Sequence, residues 1–342
     1  MWRSSSTTRM DFTARTIRRV VGGLRAECKP NVKRPNAKGP ASLHDNAFMF
    51  GTVVGGLPRP PLPADAAPEA LLDAVLSAQE EAGLEPVSDG GLGVGATPVE
   101  RWQSTAARTD RMVKAAILGP YSRGGAGGGA GAREARDEAR AEIEALVAAG
   151  CPYIEVQEPA AVDVRGAAAR QAFAEAHGGL LEGLSGVHLS LVITGGNADR
   201  AGVDVLLTAP FASLTVDLIA GPDNWLLVAG VPGDRGIVCG AVSAGPASDQ
   251  KEVLLWAAEY AASTRGRGLA RVGLATASSL AGVSWEAATR KLAVLGEAVR
   301  LSELPVLERA ARLDPRAVDI RSAALGRYAP GRRRRPPAPN RD

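Results

Sequence analysis

Aromatic residues are scarce: Phe, Trp and Tyr make up 4% of the 342 residues. Ala, Val and Leu must therefore fill the core of a chain that is 45% hydrophobic. Cysteine is scarcer still. Cys28, Cys151 and Cys239 are too few for a disulfide framework, and their spacing is not that of a zinc knuckle. A reducing, cytoplasmic setting is expected. No apolar run reaches the length of a bilayer span, so no membrane partner is expected. The small net charge of +3 hides an uneven distribution. Residues 1–48 hold ten Lys/Arg against three Asp/Glu, and residues 331–342 hold five against one. The span between them then holds 25 basic and 33 acidic residues, a net of −8. An acidic body argues against nucleic acid as the main partner.

Residues 1–45 lack any sustained periodicity. The stretch before Met49 is expected to be disordered or to precede the natural start, since Met49 stands immediately before the first strand-like run. Gly331 to Pro337, with four consecutive arginines, reads as a solvated, disordered basic tail. Between the tails, β-rich runs alternate with Ala-rich helical stretches, the pattern of βα units on a parallel sheet. Eight runs are expected: Thr52–Val54, Glu85–Ser88, Lys114–Leu118, Tyr153–Val156, Val187–Val192, Ser213–Asp217, Gly236–Gly240 and Arg271–Ala275. Helices are expected over Glu69–Ala82, Val99–Met112, Ala132–Ala149, Arg165–Ala176, Ser248–Thr264 and Ser284–Leu301, with shorter segments after the fifth and sixth strands. Eight repeats close a sheet on itself, so one (β/α)8 TIM barrel over residues 49–330 is the expected fold, with a doubly wound open sheet as the alternative.

The glycine-rich stretch from Gly119 to Gly131 formally matches a dinucleotide fingerprint. No acidic residue ends a strand at the required distance, so it reads instead as a flexible loop over the barrel mouth. In such a barrel the chemistry sits just beyond the strand C-termini. Gly55-Gly56-Leu57-Pro58-Arg59 follow the first strand, and Asp89-Gly90-Gly91 the second. Gly119-Pro120-Tyr121 follow the third, and Gln157-Glu158-Pro159-Ala160 end the fourth. His188 and Ser190 lie on the fifth, Asp217 ends the sixth, and Ser278-Ser279 follow the eighth.

These segments, in this order, resemble the C-terminal catalytic barrel of the cobalamin-independent methionine synthase family. Val54 to Pro60 looks like its opening G-S-x-P-R motif. Glu81 to Gly90 looks like its A-G-(x)n-D-G-E segment. Ala149-Gly150-Cys151-Pro152-Tyr153-Ile154-Glu155-Val156-Gln157-Glu158-Pro159-Ala160 is similar to A-G-x-x-x-I-Q-x-D-E-P-A. Gly273 to Leu292 looks like the last strand, metal loop and helix. The resemblance spans about residues 50–300 and implies methyl transfer from a methyl-folate to a thiol such as homocysteine. It also implies a zinc ion that lowers the pKa of that thiol, held by His-x-Cys, a Glu and a Cys.

At the matching positions stand His188, Ser190, Asp217 and Ser278, so both thiolates are replaced by hydroxyls, which are far poorer zinc donors. The resemblance makes His188 and Asp217 the remaining metal candidates. Gly56, Arg59, Gln157 and Tyr121 are the candidates for substrate binding, and Asp89 and Glu158 for catalysis. Gly56, Gly91 and Gln157 stand where the family has Ser, Glu and Asp.

Each residue also has a simpler structural reading. His188 suits a hydrogen-bonded core, Glu158 an internal carboxylate paired with an arginine such as Arg59, Asp89 a turn, and Asp217 a helix cap. Lys114 begins a strand and reads as structural. Cys151 reads as inert, while Cys239 is the one cysteine within reach of a barrel interior. Tyr121 and Trp225 suit stacking on a flat ligand or simple packing. Two functions follow: a divergent thiol methyltransferase with a degraded zinc site, or a non-catalytic barrel that binds a small ligand or a protein partner.

Overall fold

The computed structural model describes residues 49–313, residue 247 excepted. The expected leader before Met49, the basic tail after 330 and the domain boundary at 330 lie outside the described residues. Seven parallel strands form one curled sheet: β1 (Phe50–Thr52), β2 (Ala115–Leu118), β3 (Tyr153–Gln157), β4 (His188–Ile193), β5 (Ser213–Asp217), β6 (Gly236–Val242) and β7 (Val272–Thr276). Their spatial order is β1-β7-β6-β5-β4-β3-β2. The sheet carries an outer layer of helices: α1 (Pro68–Glu81), α2 (Pro98–Ala106), α3 (Gly129–Ala148), α4 (Gly166–His177), α5 (Val203–Thr208), α6 (Asn224–Gly230), α7 (Lys251–Ser263), α8 (Trp285–Ser302) and α9 (Val306–Ala311).

The expected second strand, Glu85–Ser88, is not a strand. Pro86 has no N–H to give to a ladder. What remains is irregular backbone between the two edge strands. Glu85 N donates to Gly51 O at 2.9 Å, Val87 N to Met112 O at 2.9 Å, and Lys114 N to Val87 O at 2.9 Å. The Thr52 hydroxyl adds a bond to Pro86 O at 2.7 Å. The observed sheet is thus a seven-stranded, TIM-barrel-like α/β array whose edges both bond to one linking segment.

The helices start where local chemistry allows. Thr97 accepts from Glu100 N, and the Glu100 carboxylate accepts from Thr97 N, a reciprocal capping box for α2. These backbone bonds pull the Glu100 pKa below its usual value. Ser284 caps α8 by accepting from Ala287 N at 3.2 Å. The expected helix from Val99 stops at Ala106 rather than Met112, and Met112 N is committed to the Glu85 carboxylate at 2.9 Å. The glycine-rich stretch is not an open loop. Its Pro120–Arg123 and Gly125–Gly127 parts are helical turns, and Gly125 packs so tightly that a Cβ there would sit 2.8 Å from Pro120 O. It rests on α4 through Ala172 and Ala176.

Strand alternation sorts the side chains. Ile154, Val156, Leu189, Leu191, Leu214, Val216, Ile237 and Cys239 join the core cluster beneath the helices. The opposite, concave face is divided. Val54, Val192, Val238 and Ala275 with Phe50 make its apolar part. Tyr153, Glu155, His188, Ser190, Ser213, Thr215 and Asp217 make its polar part. Two of the few aromatics, Phe50 and Tyr153, lie here. Tyr153 stacks on His188 at 4.4 Å and meets Phe50 edge-on at 6.4 Å. Gly273 admits the Phe50 ring, since a Cβ there would stand 2.5 Å from it.

Candidate functional site

A cavity of about 230 Å3 opens at the C-terminal end of β1 to β3. Gly55 and Gly56, Ser88 with Asp89 and Gly91, Arg101 with Trp102, Lys114 with Ala116, and Glu155 with Gln157 line it. Its walls are pinned from behind. The buried Gln79 side chain holds Ser88 through its N–H at 3.0 Å and its carbonyl at 2.8 Å. Leu57 N donates to Gly90 O at 2.8 Å, and Leu280 N to Gly56 O at 2.8 Å. The Ser279 hydroxyl bridges Gly56 N and O at 3.1 and 3.2 Å. Trp102 is fixed by its indole N–H on Val113 O at 3.1 Å.

At the cavity floor lies a buried ion pair. Lys114 Nζ contacts the Glu155 carboxylate and donates to Val53 O at 2.6 Å; both charged side chains are about 1% exposed. Gln157 Nε2 donates to the other Glu155 oxygen at 3.2 Å. Burial pushes the Lys114 pKa below its usual value, against the opposing pull of Glu155 and Asp89. The arrangement offers an amine, two carboxylates, an amide and a guanidinium within one small polar volume.

Of the residues expected at a substrate or catalytic site, Gly56, Asp89 and Gln157 meet in this cavity. The Asp89 carboxylate also accepts from Gly91 N at 2.9 Å, the turn geometry that its glycine neighbours suggest. The others are placed elsewhere. Arg59 turns back on its own loop, donating to Pro63 O and Ala64 O at 3.0 and 3.1 Å. Glu158 is fully buried on the helix side of β3, where it accepts from Tyr121 N at 2.9 Å and Ser122 N at 2.7 Å and lies 3.1 Å from His177 Nε2. Tyr121 packs edge-on against Phe173 at 5.3 Å, and Trp225 packs among Trp256 and Tyr260. Cys239 points into the helix-side core, and burial raises its pKa to about 12. Cys151 is buried with a pKa also raised to about 12.

Lys114 and Glu155 are the site residues that strand-end reasoning misses. Lys114 sits at the entry of β2, yet its four-carbon stem carries the amine up to the cavity. Glu155 and Gln157 alternate with Tyr153 on one face of β3, and that spacing of two was the available signal.

Three of the four residues implied for zinc, His188, Ser190 and Asp217, have other occupations. His188 Nε2 is 2.8 Å from Ser213 Oγ, and burial lowers the His188 pKa to about 4. Ser190 Oγ is 3.1 Å from Thr215 Oγ1. One Asp217 oxygen accepts from Ile219 N and Ala220 N at 2.8 Å each, and the other from Gly195 N at 3.1 Å. Asp217 thus ties the turns after β4 and β5 together. Among the described residues no group of three or more His, Cys, Asp or Glu is arranged to hold a metal. This donor set does not fit a thiolate-imidazole zinc centre. Asp217→Asn keeps two of the three backbone bonds, so it is expected to cost about 1–2 kcal/mol in urea unfolding and to leave metal content unchanged.

The sequence matches no family model and no curated protein sequence. Solved structures do share its fold. One is a B12-independent methionine synthase from a Shewanella species in complex with selenomethionine, at a TM-score of 0.61 and 15% identity, covering 78% of this chain and 100% of that one. A putative vitamin-B12-independent methionine synthase from Listeria monocytogenes matches at 0.57 and 14%, over 75% and 98%. A methyltransferase from Methanosarcina mazei matches at 0.51 and 13%, over 75% and 94%. At these identities the likeness establishes the fold alone: a TIM-barrel-like α/β array shared with these structures. Among the described residues no helix is long and apolar enough to cross a membrane.

Proposed function

We propose that this chain is a methionine synthase-like barrel that binds an amino-acid-sized polar ligand in the Lys114–Glu155 cavity. We propose further that it has given up the zinc centre implied by its resemblance to that family. The observation that carries this reading is the convergence of Gly56, Gly91 and Gln157 in one cavity. The resemblance places the substrate amino acid at those three positions. In the implied metal site His188 and Ser190 are instead hydrogen-bonded to Ser213 and Thr215, and Asp217 to backbone. A cavity of about 230 Å3 is below the roughly 300–1,000 Å3 that encloses a drug-sized ligand. A pterin-sized methyl donor would therefore remain largely outside it. We place the protein in the cytoplasm, where the buried thiols of Cys151 and Cys239 stay reduced.

Trp102 lines the cavity and supplies the readout. Its fluorescence is expected to change saturably with at least one member of a panel comprising L-homocysteine, L-methionine, L-aspartate and their 2-oxo counterparts. Ala116→Phe, which fills cavity space beside Glu155 without removing a polar group, is expected to weaken that binding by about tenfold or more. A flat response to the whole panel, or binding indifferent to Ala116→Phe, would contradict the reading.

Methyl transfer to a thiol is the second reading, favoured by the same three convergent positions. Methionine formed from homocysteine and methyl-folate by the purified protein would establish it.

A further inference from the structure

We propose that Lys114 is a carbonyl-reactive amine and that the ligand class of its cavity is a small 2-oxo acid, held as an imine. This rests on the reading of the cavity as a ligand site and goes beyond it by naming the reacting atom. Lys114 is the one amine among the residues lining the cavity. The other two lysines among the described residues are committed elsewhere, Lys251 to Glu297 at 2.6 Å and Lys291 to Asp249 at 2.7 Å.

Three features suit Lys114 to addition at a carbonyl. Its nitrogen is desolvated, which favours the neutral, nucleophilic form. A carboxylate, Glu155, is in contact with it and is positioned to take its proton. Gln157 and Val53 O fix the carboxylate and the amine respectively, so neither swings away. The charged groups around Lys114 are Glu155 from β3, Asp89 from the turn after the linking segment, and Arg101 from α2. Arg101 lines the cavity and spends one guanidinium nitrogen on Ala96 O at 3.1 Å; a guanidinium is the group suited to a carboxylate.

The step balances without an oxidant or a reductant. The Lys114 ammonium gives one proton to Glu155, and the neutral amine attacks the carbonyl carbon. A C–N bond forms as the C=O pair moves to oxygen, and a proton passes from nitrogen to that oxygen. Glu155 then returns its proton to the hydroxyl. The hydroxyl leaves as water, and the nitrogen lone pair forms the protonated imine.

The test is reductive trapping on the full chain with pyruvate and cyanoborohydride, read by intact mass and peptide mapping. The expected result is one adduct per chain, on Lys114, with a rate midpoint below the usual pKa of a lysine. Glu155→Gln is expected to slow trapping by about 100-fold. Acetaldehyde, which lacks a carboxylate, is expected to trap more slowly than pyruvate, and Arg101→Gln should abolish that difference. Adducts spread evenly over Lys251, Lys291 and other lysines, or no adduct on Lys114, would overturn the inference. Pyruvate that perturbs Trp102 fluorescence without forming an adduct overturns this inference alone and leaves the ligand cavity standing. No response to any acid of the panel overturns both.

Discussion

Glu155→Leu alone is expected to destabilise the protein by about 3–5 kcal/mol at neutral pH, and adding Lys114→Met is expected to restore most of that loss. The pair is about 1% exposed on both sides, so each charge has given up its water and depends on the other. Removing the carboxylate leaves a buried ammonium bonded to Val53 O. Removing both charges replaces the pair with apolar groups of similar length, and such exchanges are often neutral. The pH dependence has a definite sign. The folded-state pKa of Lys114 is lowered, so its stabilising contribution is complete above the usual lysine value and is lost as pH falls through the folded value. The Glu155→Leu deficit should therefore shrink as pH rises toward that value. Urea titrations of the wild type, both single variants and the double variant measure this. A double variant as unstable as Glu155→Leu would show that the pair is not the unit that holds this corner of the sheet.

Acid should remove roughly 3 kcal/mol of stability through His188 alone. Burial lowers its pKa from 6.5 to about 4. A lowered value means that the stabilisation is complete above about 6.5 and is lost as pH falls through about 4. The cause is structural: the ring stacks on Tyr153, its Nε2 meets Ser213, and it sits deep in the concave face. His188→Phe keeps a ring against Tyr153 but cannot titrate. Its stability should therefore fall less than that of the wild type between pH 7 and pH 4, by about that amount. Equal acid losses in the two proteins would mean that His188 is solvated or already charged in the folded state.

Much of this fold is legible in the sequence, because helix starts and buried strands carry local signals. Thr97 with Glu100, and Ser284, mark helix entries, and the apolar runs on β4 and β6 mark buried strands. The segment at Pro86 misleads because its composition is strand-like, while its proline removes a ladder donor. The site is less legible. Proximity to a strand end selects Glu158 and Tyr121, whereas alternation decides which side chains turn inward. Once Gln157 faces the cavity, Glu158 faces the helices; once Val238 lies in the apolar part of the concave face, Cys239 lies outside it. Lys114 is hidden for a different reason. Its Cα sits low on the sheet, and only the reach of the side chain brings the amine to the mouth. The polar layer of His188, Ser190, Ser213 and Thr215 depends on cross-strand register, which no local window contains.

The most direct test of the central claim is the metal content of protein purified without chelator, measured by mass spectrometry beside a Ser190→Cys, Ser278→Cys control. The account predicts no stoichiometric zinc in the unmodified protein, because His188, Ser190 and Asp217 are bonded within the fold, and zinc acquired only when the thiolates are supplied. About one zinc per unmodified chain, lost in His188→Ala, would contradict it and would make thiol methyl transfer the leading function.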